Sequence, residues 1–129
     1  MNLVLTLLPQ RLAVCRFEPH APLPAWVFHD AAGFWCVMRT ARELSVVCPE
    51  DDLPPSVEQV EKPWRAFELE GPVPFTTTGV IASLTVPLAA AGVPVFVLST
   101  FDTDYLLVKE SWLAKASDVL RTRFTLRGA

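Results

Sequence analysis

The chain has 129 residues, 51% hydrophobic and 19% charged, which is enough apolar material for a packed interior and excludes a disordered chain. Its 14 acidic and 11 basic residues give a formal charge of −3; the basic residues are scattered, five in residues 1–62 and six in 63–129, so nucleic acid and anionic membrane surfaces are not expected partners. No apolar run approaches the ~20 residues a spanning helix needs, and MNLVLTLLPQRLAV lacks a basic region and a small-residue cleavage site, so a cytoplasmic location is expected.

In chain order, Asn2 to Leu8 reads as an extended piece that stops at Pro9, and Arg11 to Phe17 as a second, the two forming an early strand or a hairpin. Pro19, Pro22 and Pro24 open a loop, after which Ala25 to His29 is a helical turn or a strand. Phe34–Arg39 and Glu43–Cys48, three residues apart, have the spacing of an antiparallel hairpin. The acidic, proline-rich PEDDLPP at 49–55 marks a linker or a subdomain junction, and Ser56 to Glu61 adds a helical turn. Trp64 to Leu69 alternates as a strand does.

Beyond Gly71-Pro72-Val73-Pro74, the residues Val80, Ile81, Leu84 and Leu88 recur at helical spacing, with Thr77 or Thr78 as N-cap and Gly92 as the stop. Pro87 falls inside this helix and removes one backbone bond. Val93–Ser99 reads as a strand buried on both faces, joined through FDTD to a partner strand Tyr105–Lys109. Ser111 then caps a helix from Trp112 to about Arg121 with Leu113, Ala116, Val119 and Leu120 inward, and Phe124–Leu126 is a last strand. The second half therefore follows the β-α-β-β-α-β order of ferredoxin-like α+β folds. The first half reads as a smaller, strand-rich version, and the expected units are residues 1–60 and 61–129.

Most polar residues have ordinary structural roles. Asp102 and Asp104 suit turn capping, and no further acids accompany them at calcium-loop spacing. Cys15, Cys36 and Cys48 fit buried reduced thiols, and His20 and His29 fit surface positions without zinc spacing. Trp26, Trp35, Trp64 and Trp112 are core or interface anchors. No serine sits in a nucleophile elbow, and the scattered glycines make no phosphate loop, so no enzyme activity, cofactor or metal is expected.

The segments ELSVVCPE and TTGVIASLTVPLAAAGVPVFVLSTFDTDYLLVK, with the helix after them, resemble ACT domains, and in particular the CASTOR-type ACT family of bacterial proteins and a eukaryotic arginine sensor. The resemblance covers residues 43–50 and 64–126 and is most specific from Thr78 to Lys109. It implies two ACT-like units side by side, the first reduced, with a free amino acid bound at their junction. Gly79, opening a helix after a strand exit, would leave the amides of Gly79, Val80 and Ile81 as donors for a carboxylate, and Asp102 or Asp104 could face a cationic group. By resemblance, Asp104 contacts the ligand's side chain, Thr100 and Phe101 offer backbone groups, and Ser45 and Val46 close the pocket from the first unit. From the residues alone, Gly79 is equally a helix-start glycine and Ser45 a solvent-facing strand residue. The expected function is regulatory amino-acid sensing, in a monomer or a homodimer; the alternative is a ligand-free structural or protein-interaction module.

Overall fold

The computed structural model describes residues 3–128. The elements in chain order are β1 (Val4–Leu7), β2 (Leu12–Phe17), β3 (Cys36–Arg39), β4 (Leu44–Pro49), β5 (Val60–Leu69), α1 (Val80–Ala90), β6 (Phe96–Ser99), β7 (Asp104–Lys109), α2 (Leu113–Arg121) and β8 (Thr125–Arg127). The residues fall into two compact units, Gln10–Trp64 and the remainder, which joins the residues up to Pro9 with those from Arg65 onward. This differs from a cut at residue 60. Strand β5 crosses the boundary, and β1 belongs with the later residues because its pairing partners are there.

In the larger unit β5, α1, β6, β7, α2 and β8 follow the β-α-β-β-α-β order, with one addition. Strand β1 lies between β8, to which it is parallel (Leu5 opposite Leu126), and β5, to which it is antiparallel (Leu5 opposite Leu69). The order across this unit is β8-β1-β5-β7-β6. A hairpin between the first two extended pieces does not form: Pro9 ends β1, and β2 pairs instead within the other unit. The expected strand start at Asn2 lies outside the described residues.

Leu84, Leu88 and Val80 of α1 and Ala116 and Leu120 of α2 are buried with Leu5, Phe67, Leu69, Leu106 and Val108 of the sheet in one core. Ile81, expected in the inward stripe, is 44% exposed. Neither expected hydroxyl caps a helix: the N-cap of α1 is Gly79, and Ser111 lies in a 3₁₀ turn, Glu110–Trp112, that leads into α2. Gly92 does end α1. At φ 76° its amide bonds to the Ala89 carbonyl (3.0 Å) and the Val93 amide to Leu88 (2.9 Å), the paired closure that a left-handed residue allows. Strand β6 is half-buried rather than buried on both faces, because β7 is its only neighbour among the described residues.

The smaller unit is strand-rich, with the order β3-β4-β2-β5, and holds no α-helix among the described residues. Its β3–β4 hairpin pairs Cys36 with Val47 and Arg39 with Leu44. The 49–55 segment is not a junction: it makes a 3₁₀ turn (Glu50–Asp52) inside the unit, and the Glu50 amide bonds to the Arg11 carbonyl at 2.8 Å. The residues before β5 form turns rather than a helical turn, and β5 begins at Val60 instead of Trp64. Ala25–Phe28 is a turn as well. Ala13, Cys15, Val46 and Cys48 are buried beneath Trp26, Val27 and Trp35, with Phe17–Trp26 and Trp26–Trp35 ring centroids 6.4 and 6.2 Å apart. Cys15, Cys36 and Cys48 are free thiols, and burial pushes Cys36 above the usual thiol range. His20 and His29 are exposed.

Candidate functional site

The larger unit carries a cavity of about 350 Å³, within the range of small-ligand sites. One wall is the 73–77 loop and the first turn of α1; the other is the β6–β7 turn, with Ser99, Thr100, Phe101, Thr103 and Asp104. Chain geometry puts these groups together. Gly79 holds φ 80°, a left-handed conformation that costs any residue with a side chain. From there α1 starts abruptly: the first bond runs from the Ser83 amide to the Gly79 carbonyl (2.9 Å). The amides of Val80, Ile81 and Ala82 therefore take no partner among the described residues, and all three residues line the cavity. Such an end concentrates partial positive charge and suits an anion.

The β6–β7 turn is braced from inside. The Thr100 amide donates to the Thr103 carbonyl at 2.8 Å, and the Thr103 amide donates to the Thr100 hydroxyl at 3.2 Å. The Thr103 hydroxyl donates to the Leu69 carbonyl at 2.7 Å and so ties the turn to the end of β5. The Asp102 carbonyl accepts from the Val73 amide at 2.7 Å, which fixes the turn against the opposite wall. Gly71 permits this approach, since a Cβ there would lie 3.0 Å from the Thr103 Cβ and 3.1 Å from the Asp102 carbonyl oxygen. Thus the threonines do the work of turn-building, and the Thr100 amide is spent within the turn. The Thr100 carbonyl and the Phe101 amide carry no hydrogen bond among the described residues and remain open to a ligand.

The two aspartates part company. Asp104, half-buried, lines the cavity, where its Oδ1 accepts a 2.5 Å bond from the Ser99 hydroxyl directly across the β6–β7 pair. Asp102 lines a separate depression behind the turn, with Glu68, Glu70 and Tyr105. There the Tyr105 hydroxyl donates to Glu68 Oε2 at 2.7 Å, and burial first, then the Glu68 bond, pushes its pKa up to about 12. Ser45 and Val46 belong to the smaller unit. Ser45 lines a depression there with Arg16, Glu43 and Glu58, and Val46 is fully buried.

Sequence reading passes over Ser99, which holds Asp104, and over Phe75, whose ring meets Phe101 edge-to-face at 5.2 Å and 87° beside the cavity. The first was accessible from hairpin register: a four-residue connection between the strands places Ser99 opposite Asp104. The second had no local signal. No group of three or more His, Cys, Asp or Glu able to hold a metal occurs among the described residues, and no helix among them is long and apolar enough to cross a membrane.

Comparison with known proteins agrees with this architecture. Residues 59–122 match the ACT domain family model, and a second model, of an N-terminal domain, matches residues 10–56. Protein Atu0741 from Agobacterium tumefaciens is 36% identical, with 98% of this chain and 92% of that one covered at a TM-score of 0.88. Residues 59–122 are an ACT domain, and the chain is of one family with Atu0741. The chain is also similar to the cytosolic arginine sensor for mTORC1 subunit 1 of Homo sapiens, 36% identical over 61 residues. That match takes in 46% of this chain but only 18% of the sensor. The ligand-free regulatory subunit of aspartate kinase from Thermus thermophilus superposes at a TM-score of 0.64 over 92% of this chain and 95% of that one; at 11% identity it shares the fold.

Proposed function

We propose that the chain is a regulatory protein that binds a free amino acid in the cavity of its ACT domain and performs no chemistry on it. The observation that carries the proposal is the pairing of opposite polarities around one cavity: unpartnered amides at the start of α1 and the Asp104 carboxylate in the facing turn. A zwitterion with a cationic side chain presents the complementary charges. Its α-carboxylate takes the amides of Val80, Ile81 and Ala82, and its cationic end takes Asp104, with the Thr100 carbonyl as a further acceptor. The similarity to an arginine sensor supports an amino-acid ligand, and the shared fold with an aspartate kinase regulatory subunit supports a regulatory role. Ser99 and Asp104 are bonded, yet no histidine lines the cavity, and a carboxylate alone is too weak a base to make the hydroxyl a nucleophile. The smaller unit is a reduced ACT-like module in the same reading, and occupancy biases the chain, or a homodimer of it, toward one conformation by the difference in ligand affinity between states.

The test is calorimetric titration with a panel of free amino acids, alongside Asp104→Asn. Arginine or another cationic amino acid is expected to bind, and the variant to bind it roughly 10–100-fold more weakly, the scale of one charge-assisted bond. Silence from every amino acid overturns the proposal in favour of a ligand-free interaction module.

A further inference from the structure

In the smaller unit the connection between β2 and β3 runs from Glu18 to Trp35 without a helix or strand. Loops longer than about 12–15 residues are uncommon in compact units and are usually functional. This one is held in shape by hydrogen bonds. The Arg39 guanidinium donates to the Pro19 and Ala21 carbonyls, the Trp35 indole N–H to the Asp30 carbonyl at 2.6 Å, and the Gly33 amide to that same carbonyl at 3.1 Å. A row of rings lies along the loop: Trp26 and Trp35 follow Phe17, and Phe28 stands 5.8 Å from Trp35 at 51°.

Two groups in the row are unspent. Phe28 holds φ 65°, the left-handed region in which a bulky residue is an outlier, and it is 53% exposed. The chain therefore bears the strain of this residue without recovering it through burial, a pattern found where a side chain is presented to a ligand. The Trp26 indole N–H takes no hydrogen bond among the described residues. It reaches the surface, because Arg65 Nε is the one buried side-chain nitrogen or oxygen among them left without a partner. The charge carried by the loop has one sign: from Phe17 to Met38 the sequence holds Glu18 and Asp30 but no Lys or Arg. One Asp30 oxygen accepts from the Ala32 amide at 3.0 Å, and the other takes no partner among the described residues. Of the flanking cations, Arg39 is spent on loop carbonyls, and Arg16 stands 3.8 Å from the exposed Glu18, a surface pairing worth little.

We propose that this aromatic loop docks a proline-rich, arginine-bearing segment of a partner protein. The spare indole donor asks for a carbonyl, and a polyproline II chain offers carbonyls that no internal hydrogen bond occupies, with proline rings that pack on aromatic faces. Arginine suits the remaining features: its planar guanidinium stacks on Trp and Phe rings and pairs with a carboxylate, here Glu18 or Asp30. Other occupants fit less well. An anionic membrane or a nucleic acid would face two acids and no cation of the loop, and a second copy would set Glu18 and Asp30 against their own images. The proposal does not depend on amino-acid binding in the ACT domain.

The test is a titration of the full chain followed by proton–nitrogen NMR through the indole N–H signals of its four tryptophans, assigned by replacing each with phenylalanine in turn. The probe is a synthetic peptide of three Pro-Pro-Arg repeats. The signals of Trp26 and Trp35 are expected to shift and to saturate below about 1 mM, those of Trp64 and Trp112 to stay, and a Pro-Pro-Glu peptide to bind at least ~10-fold more weakly. Phe28→Gly, which relieves the left-handed backbone, and Phe28→Asn, which tolerates it, are both expected to keep a dispersed spectrum and to lose affinity several-fold with the ring. No shift at Trp26 and Trp35 up to about 1 mM overturns the proposal. So do equal binding of the acidic peptide, unimpaired binding by both folded variants, or the same shifts produced by changing protein concentration alone or by phosphatidylcholine vesicles. No tryptophan lines the ACT-domain cavity, so a failed amino-acid titration and a failed peptide titration are told apart.

Discussion

Gly79→Ala probes the helix start on which the anion site depends. The perturbation is confined to the backbone: a Cβ built on Gly79 meets nothing within 4 Å, so the new methyl group neither clashes nor packs. What remains is the cost of holding an L-residue at φ 80°, about 1–2 kcal/mol. Asparagine tolerates this region through local hydrogen bonding, so Gly79→Asn is expected to lose about half as much. In urea titrations followed by far-ultraviolet circular dichroism, with a slope of about 2 kcal/mol/M, alanine should lower the midpoint by about 0.5–1 M at unchanged slope. A loss under about 0.3 kcal/mol would mean that residue 79 leaves the left-handed region freely, and the assignment of a preset amide cradle would fail. A loss above about 3 kcal/mol would mean that the added methyl collides with something, contrary to the open space around it.

Three further outcomes are expected. Leu84→Ala removes a fully packed side chain, 2% exposed, from beneath α1 and should destabilise by about 2–5 kcal/mol in the same titration. Ser99→Ala frees the Asp104 carboxylate from its 2.5 Å partner and is expected to weaken binding of a cationic amino acid several-fold in calorimetry, with a loss of only about 1 kcal/mol in stability. Tyr105 has its folded pKa raised to about 12, so its neutral form is the one the fold prefers. That contribution is whole below pH 10, the usual tyrosine value, and is lost as pH climbs through about 12; thermal melts of Tyr105→Phe should show a shallower alkaline decline than wild type.

What could be read from the sequence was what local pattern encodes. The α1 stripe, the β3–β4 and β6–β7 hairpins, Gly92 as helix stop and Asp104 at the cavity all follow from spacing, turn residues or family likeness within a short window. The failures are non-local. Strand β1 is indistinguishable in composition from half of a hairpin with β2, and only the distant partners Leu69 and Leu126 decide otherwise. Gly79 rather than Thr77 or Thr78 starts α1 because backbone conformation, not a hydroxyl, makes the turn into the helix. Strand β6 looked doubly buried since Phe96, Val97 and Leu98 are all apolar, but hydrophobicity records affinity for a cover, not its presence in one chain. In the same way Ile81 reads as part of the inward stripe, although it is exposed.

The seat of β1 has a consequence for how this molecule can be made. Its neighbours on either side, β5 and β8, are synthesised roughly sixty and one hundred and twenty residues later. During translation β1 must wait for β8 before it is paired on both flanks. A recombinant fragment that starts at Arg65 would keep both helices yet lack the strand that joins β5 to β8, leaving Phe67, Leu69 and Leu126 beside an open slot. Excision of the ACT domain thus calls for the leading residues to be supplied again, in trans or by circular permutation.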